Sequence, residues 1–196
     1  MNAGGFMHHH DLETYERSLR NVAAQFGSSL RVAEIGTWSG HTSRSANAVL
    51  LDAGAGGYEH WCIDKAVAEN GVWEPPFPGA RCIWKDSVDA APDVPDGLGL
   101  LLIDGCHCYQ HVMSDWKLYT PKVLQGGLVL LHDFNEQSQG VSYQYHGPKD
   151  SPDSYISVRR ALHDLGVTRG HPGWDVAAIG GDGSTWWGQF IVMRKL

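Results

Sequence analysis

The sequence predicts an α/β fold in which one open, mostly parallel sheet forms the centre of a single domain. Apolar runs of strand length, such as Leu98–Ile103 and Leu128–Leu131, alternate with segments of helix length. Such runs are typical of strands that are buried on both faces of a parallel sheet. Near the end of the chain, two strand-like runs flank GGDGST, a segment that favours an antiparallel hairpin.

The first half of the chain predicts two helices and three strands. Apolar residues recur at helical spacing from Asp11 to Phe26, and Gly27 is placed to end that helix. The Pro- and aromatic-rich segment Val72–Gly79 predicts a loop. The other expected elements are strands at Arg31–Ile35, Tyr58–Ile63 and Arg81–Trp84, the turn Gly36–Gly40, and a helix at His41–Ala53.

The second half opens with a strand–helix–strand unit. Leu98–Ile103 and Leu128–Leu131 are expected strands, and the amphipathic segment between them is an expected helix. Phe134–Pro152 has no periodicity and predicts a long loop. The last expected elements are a helix at Asp153–Leu165, ended by Gly166, and hairpin strands at Trp174–Ile179 and Trp186–Met193.

Length and charge restrict the class of protein. The 196 residues, 42% of them hydrophobic, suit one domain over residues 11–196, after a Gly- and His-rich tail of residues 1–10 that we expect to be disordered. A formal charge of −7 and a pI of about 5.8 argue against a nucleic-acid partner, which needs a basic face. No apolar run approaches membrane-spanning length and no signal segment opens the chain, so we expect no membrane partner and a cytoplasmic location.

The four cysteines favour a reducing compartment. Cys62 and Cys82 fall in expected strands, where a free cysteine behaves as a small hydrophobic residue. Cys106 and Cys108 flank His107 at a spacing that matches no common zinc pattern. We therefore interpret them as ordinary small residues near the end of a strand.

Charged residues stand at the ends of successive expected strands, where open α/β sheets bind their ligands. The turn after the first strand has Gly36 and Gly40 but lacks the third glycine of a dinucleotide-binding turn, which argues against a nicotinamide cofactor. Glu34 favours a ligand with an ammonium group, although an ordinary strand-to-helix turn would explain the glycines equally well. Asp64 could accept hydrogen bonds from ribose hydroxyls, and Asp86 from an adenine amino group.

Together these motifs resemble class I S-adenosylmethionine-dependent methyltransferases. EIGTWSG resembles the first motif of that superfamily, and IDGCHCYQHVMSDWKLYTPKVLQGGLVLLHD resembles small bacterial methyltransferases with an IDG-x-H-x-Y helix start and a GG-x4-HD strand. That group overlaps with cation-dependent O-methyltransferases of natural-product and sugar pathways. The resemblance is strong from Arg31 to Asp133. It implies a Rossmann-like sheet of seven strands, the last antiparallel, with helices on both faces.

The resemblance also implies roles for individual residues. Asp104 would lie near the methyl donor and, with Asp133, would bind Mg2+ or another divalent cation. Residues around the first turn would surround the amino-acid part of S-adenosylmethionine, and those after the next two strands would hold its ribose and adenine. The implied cofactor-binding residues are Glu34, Gly36, Thr37, Trp38, Gly40, Asp64, Asp86, Ser87 and Asp104.

Two departures from the family pattern concern the catalytic chemistry. Cys106 stands where related cation-dependent enzymes often carry a second acid, so His107, with an ordinary pKa near 6.5, becomes the candidate base beside Asp104. His132 precedes Asp133, and a metal set that includes His132 would favour Mn2+, Fe2+ or Zn2+ over Mg2+. Local hydrogen bonding for His107, and a packing role for His132, remain alternatives.

We expect methyl transfer to a hydroxyl of a small natural-product, sugar or phenolic acceptor. Metal-independent transfer to nitrogen or carbon, or a non-catalytic cofactor-binding protein, are the alternatives. Homodimerisation is left open. Aromatic residues in expected loops or near the hairpin could line an acceptor pocket, close the cofactor site or form a dimer contact: Trp73, Phe77, Tyr143, Tyr145, His146, Trp186 and Trp187.

Overall fold

The computed structural model describes residues 9–65, 74–134, 158–167, 171–179 and 190–196. Its strands are β1 Arg31–Ile35, β2 Glu59–Ile63, β3 Arg81–Ile83, β4 Leu98–Ile103, β5 Val123–Leu131, β6 Trp174–Ile179 and β7 Ile191–Lys195. Its α-helices are α1 His9–Phe26, α2 His41–Asp52, α3 Ser87–Ala90, α4 Tyr109–Tyr119 and α5 Val158–Asp164, and short 3-10 turns follow α1, α3 and α4.

Within these ranges the strands form one sheet of seven, in the order β3-β2-β1-β4-β5-β7-β6. β1 to β5 pair in parallel, whereas β7 runs antiparallel to both β5 and β6. The predicted open sheet, its seven strands and its antiparallel last strand are therefore confirmed. The first strand spans Arg31–Ile35 as expected.

Both faces of the sheet are covered, which confirms the prediction of helices on each side. All six residues of β4 are buried, because this central strand packs on two sides. One core joins alternate residues of β4 to α1 and α2, and it includes Tyr15, Leu19, Leu50, Leu100 and Leu102. The other joins the remaining β4 residues to α4 and α5, and it includes Leu101, Ile103, Trp116, Tyr119 and Leu162. No helix in the described part of the chain is both long and apolar enough to cross a bilayer.

Several boundaries differ from the expected ones. α1 begins at His9, so His9 and His10 belong to the helix rather than to the expected tail. β5 begins at Val123 instead of Leu128, because Val123 pairs with Leu98 of β4 although Leu124 and Gln125 are exposed. α5 and β7 are described from Val158 and Ile191, and the GGDGST turn lies outside the described residues.

Candidate active site

The strand order brings the predicted site residues to one edge of the sheet. Parallel strands β3, β2, β1, β4 and β5 are successive neighbours, so the residues that follow them lie side by side at their carboxyl ends. In that order they are Asp86, Asp64, Gly36, Asp104 and His132. The sequence-predicted positions therefore meet along a single edge.

The glycine turn after β1 is fitted closely against its neighbours. The backbone N–H groups of Gly36 and Thr37 both donate to the carbonyl of Ile63 at the end of β2. Gly36 has a φ of +91°, and a Cβ at this position would lie 2.1 Å from the carbonyl oxygen of Asp104. Gly40, with a φ of +71°, is the N-cap residue of α2. Only glycine allows the ends of β1 and β4 to approach this closely.

Asp64 holds the middle of this turn. Its carboxylate accepts a short hydrogen bond from the backbone N–H of Trp38, a residue in the left-handed region with a φ of +40°. The Trp38 side chain is 51% exposed, whereas Asp64 is buried. Asp64 therefore fixes the backbone of the turn from the adjacent strand.

Glu34 lies in the interior rather than at the open edge. Its Oε2 accepts a hydrogen bond from the Ser43 hydroxyl at 2.7 Å and lies 3.4 Å from Nε2 of His60. The residue is 1% exposed, because it points from β1 toward the face that α2 covers. This geometry makes Glu34 a support for the first turn of α2. Its direct contact with a cofactor stays a prediction.

Asp86 and Ser87 mark the start of α3, a short helix that the sequence did not predict. Asp86 is its N-cap: its carboxylate accepts a hydrogen bond from the N–H of Val88 and lies 3.8 Å from the ammonium group of Lys65. The carbonyl of Ser87 accepts a hydrogen bond from the Tyr119 hydroxyl at 2.6 Å. These contacts fix both residues beside the end of β2.

Two carboxylates and two imidazoles form a cluster at the ends of β4 and β5. Asp104 Oδ1 lies 3.3 Å from Nε2 of His107 and 3.0 Å from Nδ1 of His132. Asp133 Oδ2 lies 3.1 Å from Nδ1 of His107 and 3.6 Å from Nδ1 of His132. Each imidazole thus bridges the same two carboxylates.

In this cluster, the neighbouring opposite charges shift the pKa values more than burial does. Burial by itself would raise the pKa of Asp104, but His132 and His107 hold the pKa of this carboxyl below its usual value. Burial would likewise lower the pKa of His107, but Asp104 and Asp133 hold the pKa of its imidazole above the ordinary value. The pKa of His132 is raised in the same way, and more strongly. Without a bound cation, the neighbouring carboxylates therefore favour the protonated form of both imidazoles.

His132 also contacts residues on the face of the sheet that α1 covers. Its Nε2 lies 3.5 Å from Asp11 Oδ2, an ion-pair contact that is too long for a good hydrogen bond. Its ring packs on Phe190 at a centroid distance of 4.8 Å, and only 5% of the side chain is exposed. Asp11, in the first turn of α1, is 1% exposed. From the sequence, Asp11 was expected only to begin a helix, since an acid at that position is usually solvated.

The donor set of the cluster fits a divalent cation. One ligand atom each from Asp104, His107 and Asp133 lies within 4.8 Å of the others. Two carboxylates suit Mg2+ or Mn2+, and one imidazole adds affinity for Mn2+, Fe2+ or Zn2+. His107 therefore joins the two carboxylates as a candidate ligand. Nδ1 of His132 also lies near both carboxylates, and the predicted ligation by His132 stays a prediction.

Cys106 and Cys108 are not isolated small residues. Their Sγ atoms lie 2.9 Å apart, and Cys108 Sγ lies 2.8 Å from Nδ1 of His111. The spacing C-x-C-x2-H was the available signal, since it places His111 on the first turn of the next helix. Phe77 packs on His60 at 5.5 Å between ring centroids, and the other aromatic residues considered for the acceptor lie outside the described residues.

Comparison with known proteins gives a family match over this half of the chain. A family model described as "Methyltransferase domain" matches residues 33–134, which run from β1 to the end of the carboxylate cluster. A curated mimivirus protein (Acanthamoeba polyphaga mimivirus) is 40% identical over 43 residues. That match covers 22% of this chain and 20% of the viral protein.

Solved structures are similar along nearly the whole chain at low identity. An O-methyltransferase from Bacillus cereus in complex with SAH gives a TM-score of 0.62 at 12% identity, covering 96% of this chain and 84% of that one. An rRNA methylase from Streptococcus thermophilus gives 0.62 at 7% identity, covering 97% and 99%. The MycE methyltransferase of mycinamycin biosynthesis, in complex with Mg, SAH and mycinamycin VI, gives 0.58 at 18%, covering 98% and 51%. These likenesses show a shared fold.

Proposed function

This chain belongs to the methyltransferase-domain family and is a class I S-adenosylmethionine-dependent methyltransferase, and from that premise we propose that its acceptor is a hydroxyl group of a small molecule. We further propose that a divalent cation, held by Asp104 and Asp133, assists the reaction. The observation that carries the proposal is the cluster of two carboxylates and His107, which stands beside the glycine turn.

The glycine turn and the two neighbouring strand ends supply the cofactor site. Gly36 and Gly40 let the turn pack closely against Asp104 and Pro76, and Asp64 already accepts the N–H of Trp38. A carboxylate can accept two hydrogen bonds from ribose hydroxyls, and Asp86 and Ser87 stand one strand further along, where the adenine would lie. Asp104 adjoins Gly36 through the backbone contact between β1 and β4, so the methyl donor would face the cluster.

The cation belongs to the two carboxylates in this proposal, and His107 is kept as the base. Mg2+ usually takes one or two protein carboxylates and keeps several waters, so Asp104 and Asp133 suffice. A cation bound there would act as a Lewis acid and lower the pKa of the acceptor hydroxyl. Its positive charge would also favour loss of the proton that His107 shares with the two carboxylates, because metal binding and protonation compete.

Neutral His107 would then take the proton of the hydroxyl. In the transfer, the acceptor oxygen forms a bond to the methyl carbon while the carbon–sulfur bond breaks, and SAH leaves as a neutral thioether. The leaving group needs no acid, so the protein has to align the oxygen and accept its proton. His107 contacts both carboxylates and lies 24% exposed, which leaves it accessible to an acceptor.

The charge of the chain supports a small acceptor over a nucleic acid. A formal charge of −7 gives little of the basic surface that phosphate backbones need. The rRNA methylase among the structural neighbours shares the fold at 7% identity, which carries no acceptor specificity to this chain.

One observation favours metal-independent transfer as a second candidate. When protonated, His107 and His132 balance the negative charges of Asp104 and Asp133. The two carboxylates then need no cation to neutralise them. A protonated cluster of this kind could orient an amine or carbon acceptor and leave its methylation free of metal.

The cofactor site is tested first. Isothermal titration and thermal unfolding with SAH are measured for the wild type, D64N and D96N, the last altering an aspartate whose side chain is 90% exposed. SAH at 100 times its dissociation constant should stabilise the wild type and D96N by about 2.7 kcal/mol, and D64N far less. Equal responses of D64N and D96N would refute the role of Asp64, and no response of the wild type would refute the cofactor site.

The cation is tested with Mn2+ as the probe. Free Mn2+ is followed by electron paramagnetic resonance during titration of the wild type, D133N and D96N. Asp133 has a φ of +55°, a conformation that asparagine tolerates as well as aspartate, so D133N should fold. Mn2+ bound by the wild type and D96N but not by D133N supports the cation site. Methylation of hydroxyl acceptors that persists in EDTA would refute the role of the cation. Methylation of amine or carbon acceptors that persists in EDTA would favour the metal-independent candidate.

A further inference from the structure

Three side chains at the start of α4 form a second cluster of metal-binding type. Cys108 is the N-cap residue of α4, and its Sγ lies 2.9 Å from Sγ of Cys106 and 2.8 Å from Nδ1 of His111. One ligand atom from each lies within 4.8 Å of the others. The chain geometry explains the cluster, since His111 follows Cys108 by three residues and so lies on the same side of the first helical turn.

The chemistry of this donor set differs from that of the carboxylate cluster. Thiolates are soft ligands that favour Zn2+ over Mg2+ or Ca2+, and two cysteines with one histidine match the donors of zinc sites. A tetrahedral Zn2+ with Zn–S bonds of about 2.3 Å separates two sulfurs by about 3.8 Å. The Sγ atoms, now 2.9 Å apart, would have to move apart by just under 1 Å. Cys106 is partly exposed, so rotation of its side chain can supply that change.

A buried carboxylate that interacts with Ser87 lies one helical turn further along α4. Asp115, one helical turn after His111, is 1% exposed, and its Oδ1 has no hydrogen-bond partner among the described residues. Its charge interacts with those of His111 and Cys108. Histidines that bind a metal through one ring nitrogen almost always donate the other N–H to a carboxylate, a carbonyl or water, and Asp115 can serve that role.

We propose that Cys106, Cys108 and His111 bind one Zn2+ ion, with its fourth position open to water. Both thiols release their protons to solvent as the Zn–S bonds form. Because His107 lies between the two cysteine ligands, the ion holds the backbone on both sides of it. The ion thereby fixes the imidazole that contacts Asp104 and Asp133.

The test uses the reduced full-length chain and Co2+ as a spectroscopic substitute for Zn2+. Thiolate ligation of Co2+ gives an intense near-ultraviolet charge-transfer band, which ligation by nitrogen and oxygen alone does not give. The wild type should show this band at one equivalent, and Zn2+ should abolish it. Zn2+ affinity is then measured by competition with a chromogenic chelator.

Variants locate the ion. C108S should weaken Zn2+ binding by more than about 100-fold, and D115N by about 10- to 100-fold. C82S, which alters a free cysteine of β3, and D96N should leave the band and the affinity unchanged. H111N provides a second ligand variant if C108S folds poorly, as judged by circular dichroism. Absence of the band in the wild type, or equal Zn2+ affinities for C108S and C82S, would overturn the proposal.

Discussion

Replacing Gly36 with alanine should separate the ends of β1 and β4. The new Cβ would lie 2.1 Å from the carbonyl oxygen and 2.5 Å from the carbonyl carbon of Asp104, and both of these are backbone atoms. The two strands would have to move apart, which stretches the 2.9 Å hydrogen bond from the N–H of Asp104 to the carbonyl of Ile35. Overpacking costs about 1–3 kcal/mol, and loss of a hydrogen bond costs about 1 kcal/mol more.

Gly79 provides the matched control for this prediction. Its φ of +94° nearly equals the +91° of Gly36, but nothing lies within 4 Å of a Cβ built there. The cost of placing alanine at positive φ, about 1–3 kcal/mol, is therefore common to both variants. Urea unfolding should give G36A a free energy of unfolding about 2–4 kcal/mol below that of G79A. If the two variants unfold at the same urea concentration, the close approach of β1 to β4 does not determine stability, and the reasoning is refuted.

Two further predictions concern buried charges, each measured by urea unfolding with EDTA present. Burial raises the pKa of Asp115 to about 7, so the folded state binds a proton that the unfolded state releases above about pH 4. The free energy of unfolding of the wild type should fall by up to about 4 kcal/mol as the pH rises from 4 to 7, and that of D115N should not. Parallel plots of unfolding free energy against pH for the two proteins would contradict this. D11N should lower the free energy of unfolding by about 1–3 kcal/mol, because it removes one carboxylate beside the His132 imidazolium. A double-mutant cycle of D11N with H132Q should give a coupling energy above about 0.5 kcal/mol. A value near zero would show that the contact between Asp11 and His132 does not contribute to stability.

The strands that could be predicted from the sequence are those whose formation depends on burial. β4 is a continuous apolar run and β1 has three apolar residues in five, and nearly every residue in both strands is buried on one face or the other. The first half of β5 could not be found in this way, because Leu124 and Gln125 are exposed and Gly126 has a φ of +78°. That segment joins the sheet through Val123, which pairs with Leu98 at the start of β4, a contact between distant residues that no local pattern encodes.

Site residues that directly follow a strand could be predicted from the sequence. Roles that depend on the direction in which a side chain points were harder to predict. Asp64, Asp104 and Asp133 were found because each follows an apolar run, and topology brings such positions together. Glu34 stands at a similar position, but it belongs to the buried alternation of β1 and points at Ser43. Asp11 escaped notice because its contact spans more than a hundred residues of sequence, and a charge in a helix is usually solvated.

The conformation of Asp133 explains how two consecutive residues serve the two sides of one cluster. Successive side chains of a strand point to opposite faces, so His132 and Asp133 would diverge if β5 continued without a change. His132 points to the α1 face, where Phe190 and Asp11 hold it. Asp133, two residues after the end of β5, adopts a φ of +55°, which returns its carboxylate to within 3.6 Å of Nδ1 of His132. The histidine therefore anchors the cluster to the core, and the turn at Asp133 brings the second carboxylate back to it.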